Sequence, residues 1–179
     1  MDLLETERLI VRGWQPDVHA EEAFQMYGDS EVVKFLNRPP DKDIAQTRKY
    51  LQVVVDRYDN YSRGMGNFAV VEKASNRVVG MVLLKNLPDV NMEFTDDIEI
   101  GWHLVREAWG QGYATEAASA IMNYGFNTLK LPTIWAVALE ENQASFRVME
   151  RLGMKPAGRT TKYYGGENLL VYRIDTPLA

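Results

Sequence analysis

The residues with the clearest chemical signature lie in one glycine-rich segment, Trp109–Ala117. Gly110, Gly112 and Ala114 alternate there with larger residues and lead into an apolar pattern of helical spacing. Small residues let successive backbone N–H groups approach an anion, and the start of a helix adds partial positive charge. A pyrophosphate group is the natural ligand of such a segment, although a glycine-rich turn that only begins a helix has the same composition.

Two better-known phosphate motifs do not match this segment. The dinucleotide-binding fingerprint requires a third glycine or an alanine where Thr115 stands, and it belongs early in a strand–helix–strand unit. The P-loop requires a Gly-Lys dipeptide, which the sequence lacks. A nucleotide-binding protein of either class is therefore disfavoured, and tight binding of NAD or ATP would be needed to revive it.

The composition excludes several other classes of protein. The absence of cysteine rules out disulfides, thiolate metal sites and covalent chemistry through a protein thiol. With only two histidines present, we expect no metal site. The net charge of -5 argues against nucleic acid as a partner, and no apolar stretch is long enough for a membrane span. Met1–Glu5 lacks the apolar region of a secretion signal, so we expect a cytoplasmic location.

Hydrophobic patterns place the glycine-rich segment between a strand and a helix. Asp97–Leu104 alternates strictly, with Glu99, Gly101 and His103 on the less apolar face, and is predicted to be a strand. Gly112–Leu129 carries apolar residues at the spacing of an amphipathic helix. The junction of these two elements therefore brings the predicted anion site next to titratable side chains.

The rest of the chain predicts a mixed α+β fold of one domain, residues 1–179. Pro16 and Asp17 are expected to supply the turn and the N-cap of its first helix. The remaining predicted elements are a strand at Arg8–Gly13, helices ending near Gly28 and at Glu31–Leu36 and Asp43–Tyr58, a hairpin of Asn67–Glu72 and Val78–Lys85, a strand at Thr133–Leu139, a helix at Asn142–Leu152, and a hairpin over Lys155–Ile174 turned at Gly165–Gly166.

At this point the residues suggest a family. Trp109–Ala117 closely resembles the acyl-CoA pyrophosphate loop of the GNAT N-acetyltransferase superfamily, in particular the branch with ribosomal-protein alanine N-acetyltransferases. Three further segments follow the order seen in that branch: Thr6–Arg12, Glu99–Trp102, and Asn142–Ser145 with Leu152–Met154. Four motifs in the right order make coincidence improbable, and the resemblance extends over essentially the whole chain.

The resemblance implies a fold and a cosubstrate. The implied fold is α+β, with a mixed, mostly antiparallel and twisted sheet that is flanked by helices and splayed between Asp97–Leu104 and Thr133–Leu139. Acetyl-CoA would enter the gap, where the amides of His103, Leu104 and Val105 would hold the pantetheine arm and the thioester carbonyl. The implied pyrophosphate-binding residues are Gly110, Gln111, Gly112, Tyr113, Ala114 and Thr115.

Acetyl transfer to a primary amine requires a base, because an ammonium group has no lone pair for the attack. Glu99 is the leading candidate, since it lies in an otherwise apolar strand beside Gly101 and some relatives use a glutamate at the matching position. A carboxylate that faces solvent or pairs with a cation is the alternative. His103 lies on the same face and could share the role, or be an ordinary, partly buried histidine.

The leaving thiolate requires a hydrogen-bond donor or an acid. Ser145 is the candidate donor, because many relatives carry a tyrosine at the position that Met149 occupies here. The usual tyrosine acid is therefore missing. Ser145 could instead contact the pantetheine arm or cap the helix together with Asn142. Asn142 itself could bind the ligand or act as the N-cap of the helix.

Two weaker features surround these residues. Glu93, Asp96 and Asp97 form an acidic cluster with the candidate base, which would attract a cationic acceptor, although a solvated loop explains them equally well. Tyr163–Glu167, on the final hairpin, could line an acceptor pocket, although tyrosine and glycine at a hairpin turn need no ligand.

These observations predict a metal-independent enzyme that moves the acetyl group of acetyl-CoA directly to a primary amine, either a protein N-terminal α-amine or a small-molecule amine. The alternative is a non-catalytic acyl-CoA-binding or interaction domain of the same fold, which the missing tyrosine at Met149 keeps open. Neither nucleic acid nor a membrane is an expected partner. The final hairpin could form the contact of a homodimer, and the preferred acyl chain stays open.

Overall fold

A computed structural model describes residues 2–36, 38–57, 61 and 64–176, which form eight strands and five α-helices. The elements are β1 (Asp2–Glu5), β2 (Leu9–Arg12), α1 (Pro16–Tyr27), α2 (Ser30–Val33), α3 (Ile44–Asp56), β3 (Gly66–Glu72), β4 (Arg77–Pro88), β5 (Phe94–Leu104), α4 (Tyr113–Asn127), β6 (Thr133–Ala138), α5 (Gln143–Arg151), β7 (Lys155–Thr160) and β8 (Leu169–Asp175).

All eight strands belong to one sheet, in the order β1-β2-β3-β4-β5-β6-β8-β7. Every neighbouring pair is antiparallel except β5 and β6, which run parallel. These two strands are paired at a single position, Glu99 opposite Trp135, and diverge beyond it. The structure thus confirms the α+β fold with a mixed, mostly antiparallel sheet that is splayed between these strands.

Helices cover the two faces of the sheet. On one face α4 approaches so closely that a Cβ atom on Gly125 would lie 3.0 Å from Ile134 and 3.3 Å from Leu84. On the other face, the Tyr27 hydroxyl of α1 lies 3.1 Å from His103 Nε2 of β5. The α1–α3 side of the molecule therefore covers the odd-numbered residues of β5, as the strict alternation of this strand predicts.

Helix α3 illustrates how local signals build this layer. Asp43 caps it by accepting a hydrogen bond from the Gln46 amide at 2.8 Å. Thr47, Leu51 and Val54 follow at helical spacing and are buried. Tyr58, the predicted end of this helix, lies outside the described residues.

Two details at the N-terminal end differ from the sequence prediction. β1 was not predicted, because its few residues become a strand only by pairing with β2. The proposed N-cap at Pro16 and Asp17 is wrong: Pro16 is already helical, and Gln15 takes the cap position without a side-chain bond. His19 accepts a hydrogen bond from the Gln15 amide at 3.1 Å instead. The described part of the chain holds no helix with the length and hydrophobicity of a membrane span.

The predicted C-terminal hairpin is present as β7 and β8, and its connection reaches across the sheet. Tyr163 forms an isolated bridge with Asp89, which follows β4, and the Gly165 amide donates to the Asp89 carbonyl at 3.3 Å. Gly165 has a φ of +73°, which suits glycine in this tight turn. These contacts hold the hairpin connection over β4 and β5, where it covers part of the site.

Candidate active site

The glycine-rich segment forms a turn between β5 and α4 that presents backbone amides. Gly110 and Gly112 have φ values of +75° and +81°, in the left-handed region that favours glycine. The Glu116 amide makes the first bond along α4, to the Gly112 carbonyl at 3.0 Å. The amides of Tyr113, Ala114 and Thr115 precede that bond and have no acceptor within the helix, as expected for a helix start. The turn therefore has the geometry of an anion site.

A salt-bridge network anchors this turn to the β1–β2 connection. Arg8 donates to the Gln111 carbonyl at 3.0 Å and pairs with Glu116 at 2.6 Å. The Thr6 hydroxyl donates to the same carboxylate at 2.5 Å. Thr6 and Arg8 belong to a motif that carried the family resemblance, but their role was not predicted, because they contact a segment about a hundred residues further along the chain. They fix the position of the anion-binding turn.

The end of β5 offers different amides from those expected. The Val105 amide donates to the Val79 carbonyl of β4 at 3.0 Å, so the proposed pantetheine contact through Val105 N–H is wrong. Amides alternate in direction along an antiparallel strand, and His103 therefore also directs its amide toward β4. Leu104 and Trp102 direct theirs to the opposite side, into the gap where β6 diverges. Of the three predicted amides, only that of Leu104 faces the gap.

The candidate base Glu99 is buried in the wall of a cavity on the α1–α3 side of the sheet. Its carboxylate does not face solvent, and it has two partners. The Tyr164 hydroxyl donates a hydrogen bond to Oε2, and Lys85 Nζ lies 3.8 Å from the same atom. Burial raises the pKa of Glu99, although Lys85 and the Tyr164 hydrogen bond act in the opposite direction. A carboxylate with a raised pKa is better matched to accept a proton near neutral pH.

Tyr164 and Lys85 were not assigned roles at Glu99 from the sequence. Lys85 is directly opposite Glu99 in the β4–β5 register, a relation that becomes visible only when the two strands are aligned. Tyr164 comes from the hairpin connection, which was expected only to line a pocket. Burial and the neighbouring Glu99 raise the pKa of Tyr164 well above its ordinary value, so its hydroxyl keeps its proton.

His103 lies on the same cavity wall in an apolar and cationic setting. Its Nε2 atom contacts the Tyr27 hydroxyl at 3.1 Å, and the two rings meet edge to face with centroids 5.4 Å apart. Burial, followed by the nearby Arg38 guanidinium, lowers the pKa of His103 to about 3. The imidazole is therefore neutral at physiological pH, where it can exchange hydrogen bonds but carries no charge.

Helix α5 brings the remaining candidates to the opposite side of the cavity. Asn142 caps this helix, because its side-chain oxygen accepts from the Ser145 amide at 3.2 Å. Asn142 and Ser145 also line the cavity, together with the buried Met149. The Ser145 hydroxyl has no hydrogen-bond partner within the described part of the chain, so it can donate to a ligand. The N-cap role of Asn142 is thus shown, and it leaves the side-chain NH₂ group for a second contact.

The cavity unites most of the candidate residues. Its volume is about 280 Å³, and its wall includes residues of both β5 and β6, the strands that diverge. The site-related side chains in its wall are Arg38, Tyr50, Arg57, Lys85, Glu99, His103, Asn142, Ser145, Met149, Tyr164 and Glu167. The described residues contain no group of three or more His, Asp and Glu side chains that could hold a metal ion.

The predicted acidic cluster does not assemble around this cavity. Glu93 and Asp96 are exposed, and neither lines the cavity. Asp97 pairs with Lys162 at 2.6 Å and accepts from the Tyr163 hydroxyl at 2.6 Å. Burial opposes ionisation of Asp97, but these two hydrogen bonds hold its pKa below the ordinary value. Asp97 therefore anchors the hairpin connection and does not provide an open site for a cation.

An amide-presenting helix start beside a splayed sheet, with a cavity at the point of splaying, defines an acyl-CoA N-acyltransferase. The family model described as acetyltransferase (GNAT) domain matches residues 8–155. The chain belongs to the GNAT family and is an acetyl-CoA-dependent N-acetyltransferase.

Individual relatives agree with this assignment. An uncharacterized N-acetyltransferase of Bacillus licheniformis, p20, is 30% identical over 172 residues, which cover 96% of this chain and 92% of the relative. A GNAT-family acetyltransferase structure from Bacillus anthracis superposes with a TM-score of 0.79 at 27% identity, over 97% of this chain and 98% of that one. RimL, a ribosomal L7/L12 α-N-protein acetyltransferase solved in complex with coenzyme A, shares the fold, with a TM-score of 0.76, 17% identity and 98% coverage of both chains.

Proposed function

We propose that this protein transfers the acetyl group of acetyl-CoA directly to a primary amine, with Glu99 as the base. The observation that carries the proposal is a buried carboxylate in the wall of the cavity at the splayed strands, with Tyr164 and Lys85 holding one of its oxygens. The absence of cysteine supports direct attack, because a cysteinyl acyl-enzyme cannot form.

The cosubstrate extends from the glycine-rich turn before α4, along the free amides of β5, to the cavity. The free amides at the start of α4, from Gln111 to Thr115, bind the pyrophosphate, with the positive end of the helix dipole behind them. Leu104 and Trp102 direct their amides into the gap, where they hold the pantetheine arm and polarise the thioester carbonyl. The acetyl group then reaches the cavity wall that carries Glu99.

Glu99, Ser145 and Asn142 are the polar residues of the cavity that act in the transfer. The acceptor ammonium gives a proton to the Glu99 carboxylate, and the freed lone pair attacks the thioester carbon. Collapse of the tetrahedral intermediate breaks the C–S bond, and the new amide nitrogen loses its second proton. The leaving sulfur takes up this second proton while Ser145 Oγ donates a hydrogen bond to it, in the absence of a tyrosine at Met149, and Glu99 releases the first proton to solvent. Asn142 binds the pantetheine arm through its side-chain NH₂ group.

The acceptor is a primary amine, either a protein N-terminal α-amine or a small molecule. The cavity of about 280 Å³ lies at the lower end of the range of ligand pockets, which favours a compact group at the reacting end. An N-terminal residue or an amino acid fits this description better than a bulky aminoglycoside. RimL, with the same fold, acts on a protein α-amine by its name, which supports the first source. A cytoplasmic location and a homodimer stay predictions from the sequence.

The test is release of free CoA from acetyl-CoA by the purified protein with a panel of acceptors. The panel contains peptides with N-terminal Ala or Ser, amino acids, polyamines and aminoglycosides. We expect release with one class of primary amine and acetylation of that amine by mass spectrometry. Release from no acceptor, in a preparation whose melting temperature acetyl-CoA still raises, would contradict amine transfer and favour the non-catalytic acyl-CoA-binding alternative.

A further inference from the structure

The charges in the cavity wall are separated between two sides. Its carboxylates, Glu99 and Glu167, come from β5 and from the hairpin connection. Its two guanidinium groups come from the helical side: Arg38 precedes α3, and Arg57 ends it. Lys85 is committed to Glu99, from which its Nζ atom lies 3.8 Å away. The helical side therefore contributes two guanidinium groups that the mechanism described above does not use.

Arg38 is held firmly in this position. Its guanidinium carbon lies 3.9 Å from the centre of the Tyr50 ring and 5.0 Å from that of Tyr27. One nitrogen, Nη2, donates to the Asp41 carboxylate, which also accepts from the Thr47 hydroxyl at 2.7 Å. Stacking and ion pairing thus fix the plane of the guanidinium before any ligand arrives.

The other terminal nitrogen of Arg38, Nη1, is enclosed and has no hydrogen-bond partner within the described residues. A buried donor on a charged group is costly to leave without an acceptor. Arg38 lines the cavity, and the planar fork of an arginine matches a carboxylate. Because Nη1 itself has almost no accessible surface, an acceptor molecule that brings its own anionic oxygen would complete this group after a small shift of the neighbouring side chains.

We infer that the amine acceptor carries a carboxylate a few bonds from its reacting nitrogen, and that Arg38 and Arg57, which both line the cavity, bind this carboxylate while the amine meets Glu99. This inference rests on the proposed amine transfer. Two sources have the required chemistry: the α-carboxylate of a free amino acid, and an acidic side chain close to the N-terminus of a protein. Both place an ammonium toward the acidic side of the cavity and an anion toward the basic side.

Matched acceptors test the inference on the unmodified enzyme. One arm compares free amino acids with their α-carboxamides, and the other compares C-terminally amidated peptides beginning Ser-Glu with peptides beginning Ser-Gln. We expect kcat/KM to be about 10- to 100-fold higher for the carboxylate member of one pair, as for a charged hydrogen bond. The arm that shows the preference identifies the source. Equal kcat/KM within both pairs would overturn the inference and leave amine transfer intact, whereas no turnover with any amine would contradict both.

Variants then locate the preference. Arg38→Gln and Arg57→Gln should each reduce kcat/KM for the carboxylate acceptor and leave that for its neutral partner nearly unchanged. Arg48→Gln is the matched control, because Arg48 is an exposed α3 arginine that pairs with Asp17 and does not line the cavity. Arg57→Gln keeps the test decisive if Arg38→Gln fails to fold after losing its contact with Asp41. A preference that survives both variants would place the carboxylate elsewhere.

Discussion

The role of Glu99 as the base can be tested by a substitution that changes only its carboxylate to an amide. Glu99→Gln keeps the shape of the side chain and its contact with Tyr164 but removes the proton acceptor. We expect kcat to fall by about 10²- to 10⁴-fold, the usual contribution of a general base, with little change in the Kd for acetyl-CoA. Steady-state kinetics and calorimetric titration measure the two quantities. Glu93→Gln is the control, since it makes the same change at an exposed site outside the cavity.

The pH profile separates a base from a merely structural carboxylate. Because burial raises the pKa of Glu99, kcat should fall with decreasing pH at a value above that of an ordinary glutamate. The Glu99→Gln variant should lose this dependence and retain only a low, flat rate. A variant with a reduced rate but the same acidic limb would show that another group takes the proton.

His103 makes a prediction about stability. Its pKa of about 3 in the folded state lies below the ordinary histidine value of 6.5, so the unfolded chain binds the additional proton first. The contribution of His103 to the free energy of unfolding is therefore fully present at pH values above its pKa in the unfolded chain. It is lost as the pH falls toward its pKa in the folded protein, at up to about 1.4 kcal/mol per pH unit. Urea unfolding between about pH 5 and pH 7 should show this slope.

His103→Gln is the variant that assigns the slope, since glutamine still exchanges a hydrogen bond with Tyr27 but does not titrate. We expect a flatter dependence of the free energy of unfolding on pH. The residual slope combines a contribution of the same sign from His19, whose pKa burial also lowers, with one of opposite sign from Glu99, whose pKa burial raises. An unchanged slope in His103→Gln would mean that the imidazole is protonated in the folded protein.

At the scale of single elements, the start of α4 depends on its backbone conformation. Gly112 has a φ of +81°, and Gly112→Ala forces a side chain into the left-handed region, at a cost of about 1–2 kcal/mol. The turn should distort, and the Kd for acetyl-CoA should rise by about tenfold or more, which corresponds to the loss of one good hydrogen bond to the pyrophosphate. Gly13→Ala is the matched control, because no atom lies within 4 Å of its added Cβ and its φ is not in that region. Equal affinities in the two variants would show that the turn does not hold the cosubstrate.

The elements also show how far the sequence alone could go. Strands and helices with a clear period, such as β5 and α4, were predicted with the correct faces, because the alternation and the helical spacing are local signals. β1 could not be found, since its residues are ordered by pairing with β2. The same reasoning applies to Arg8 and its contact with Glu116, which depends on the packed sheet and not on neighbouring residues.

The site residues also divide into those that local sequence signals indicate and those that only the packed fold brings together. Glu99 and Ser145 are predicted from their types and positions in motifs of the family resemblance, and the structure places both in the wall of one cavity, while their catalytic roles stay predictions. Lys85 and Arg38 were missed in this cavity, because a strand register and a turn before α3 bring them there. Tyr164 was expected to line a pocket, as it does, but its hydrogen bond to Glu99 was not predicted. The direction of the Val105 amide was wrong for a related reason: it follows from the β4–β5 register.

At the scale of the whole molecule, the site joins two parts of one sheet. Strands β1 to β5 form one part and β6 to β8 the other, and a single residue pair, Glu99 and Trp135, connects them along the splay. Glu99 belongs to the first part, whereas Asn142 and Ser145 follow the first strand of the second. A cosubstrate bound in the gap, as proposed, would replace the missing strand pairing and couple the two parts. Ligand binding should therefore stabilise the folded protein as a unit.

Amide hydrogen exchange, resolved by residue, tests this coupling. The amides of Leu104 and Trp102 face the gap and lack β6 partners, so saturating CoA should slow their exchange. Val105 already donates to Val79, and its exchange should change only as much as that of the surrounding β4–β5 ladder. A melting temperature that rises by about 5–10 °C at 100-fold excess over Kd should accompany this difference. Equal protection of Leu104 and Val105 would mean that CoA stabilises the fold without lying in the gap, because only a ligand held there distinguishes amides that point to opposite sides of one strand.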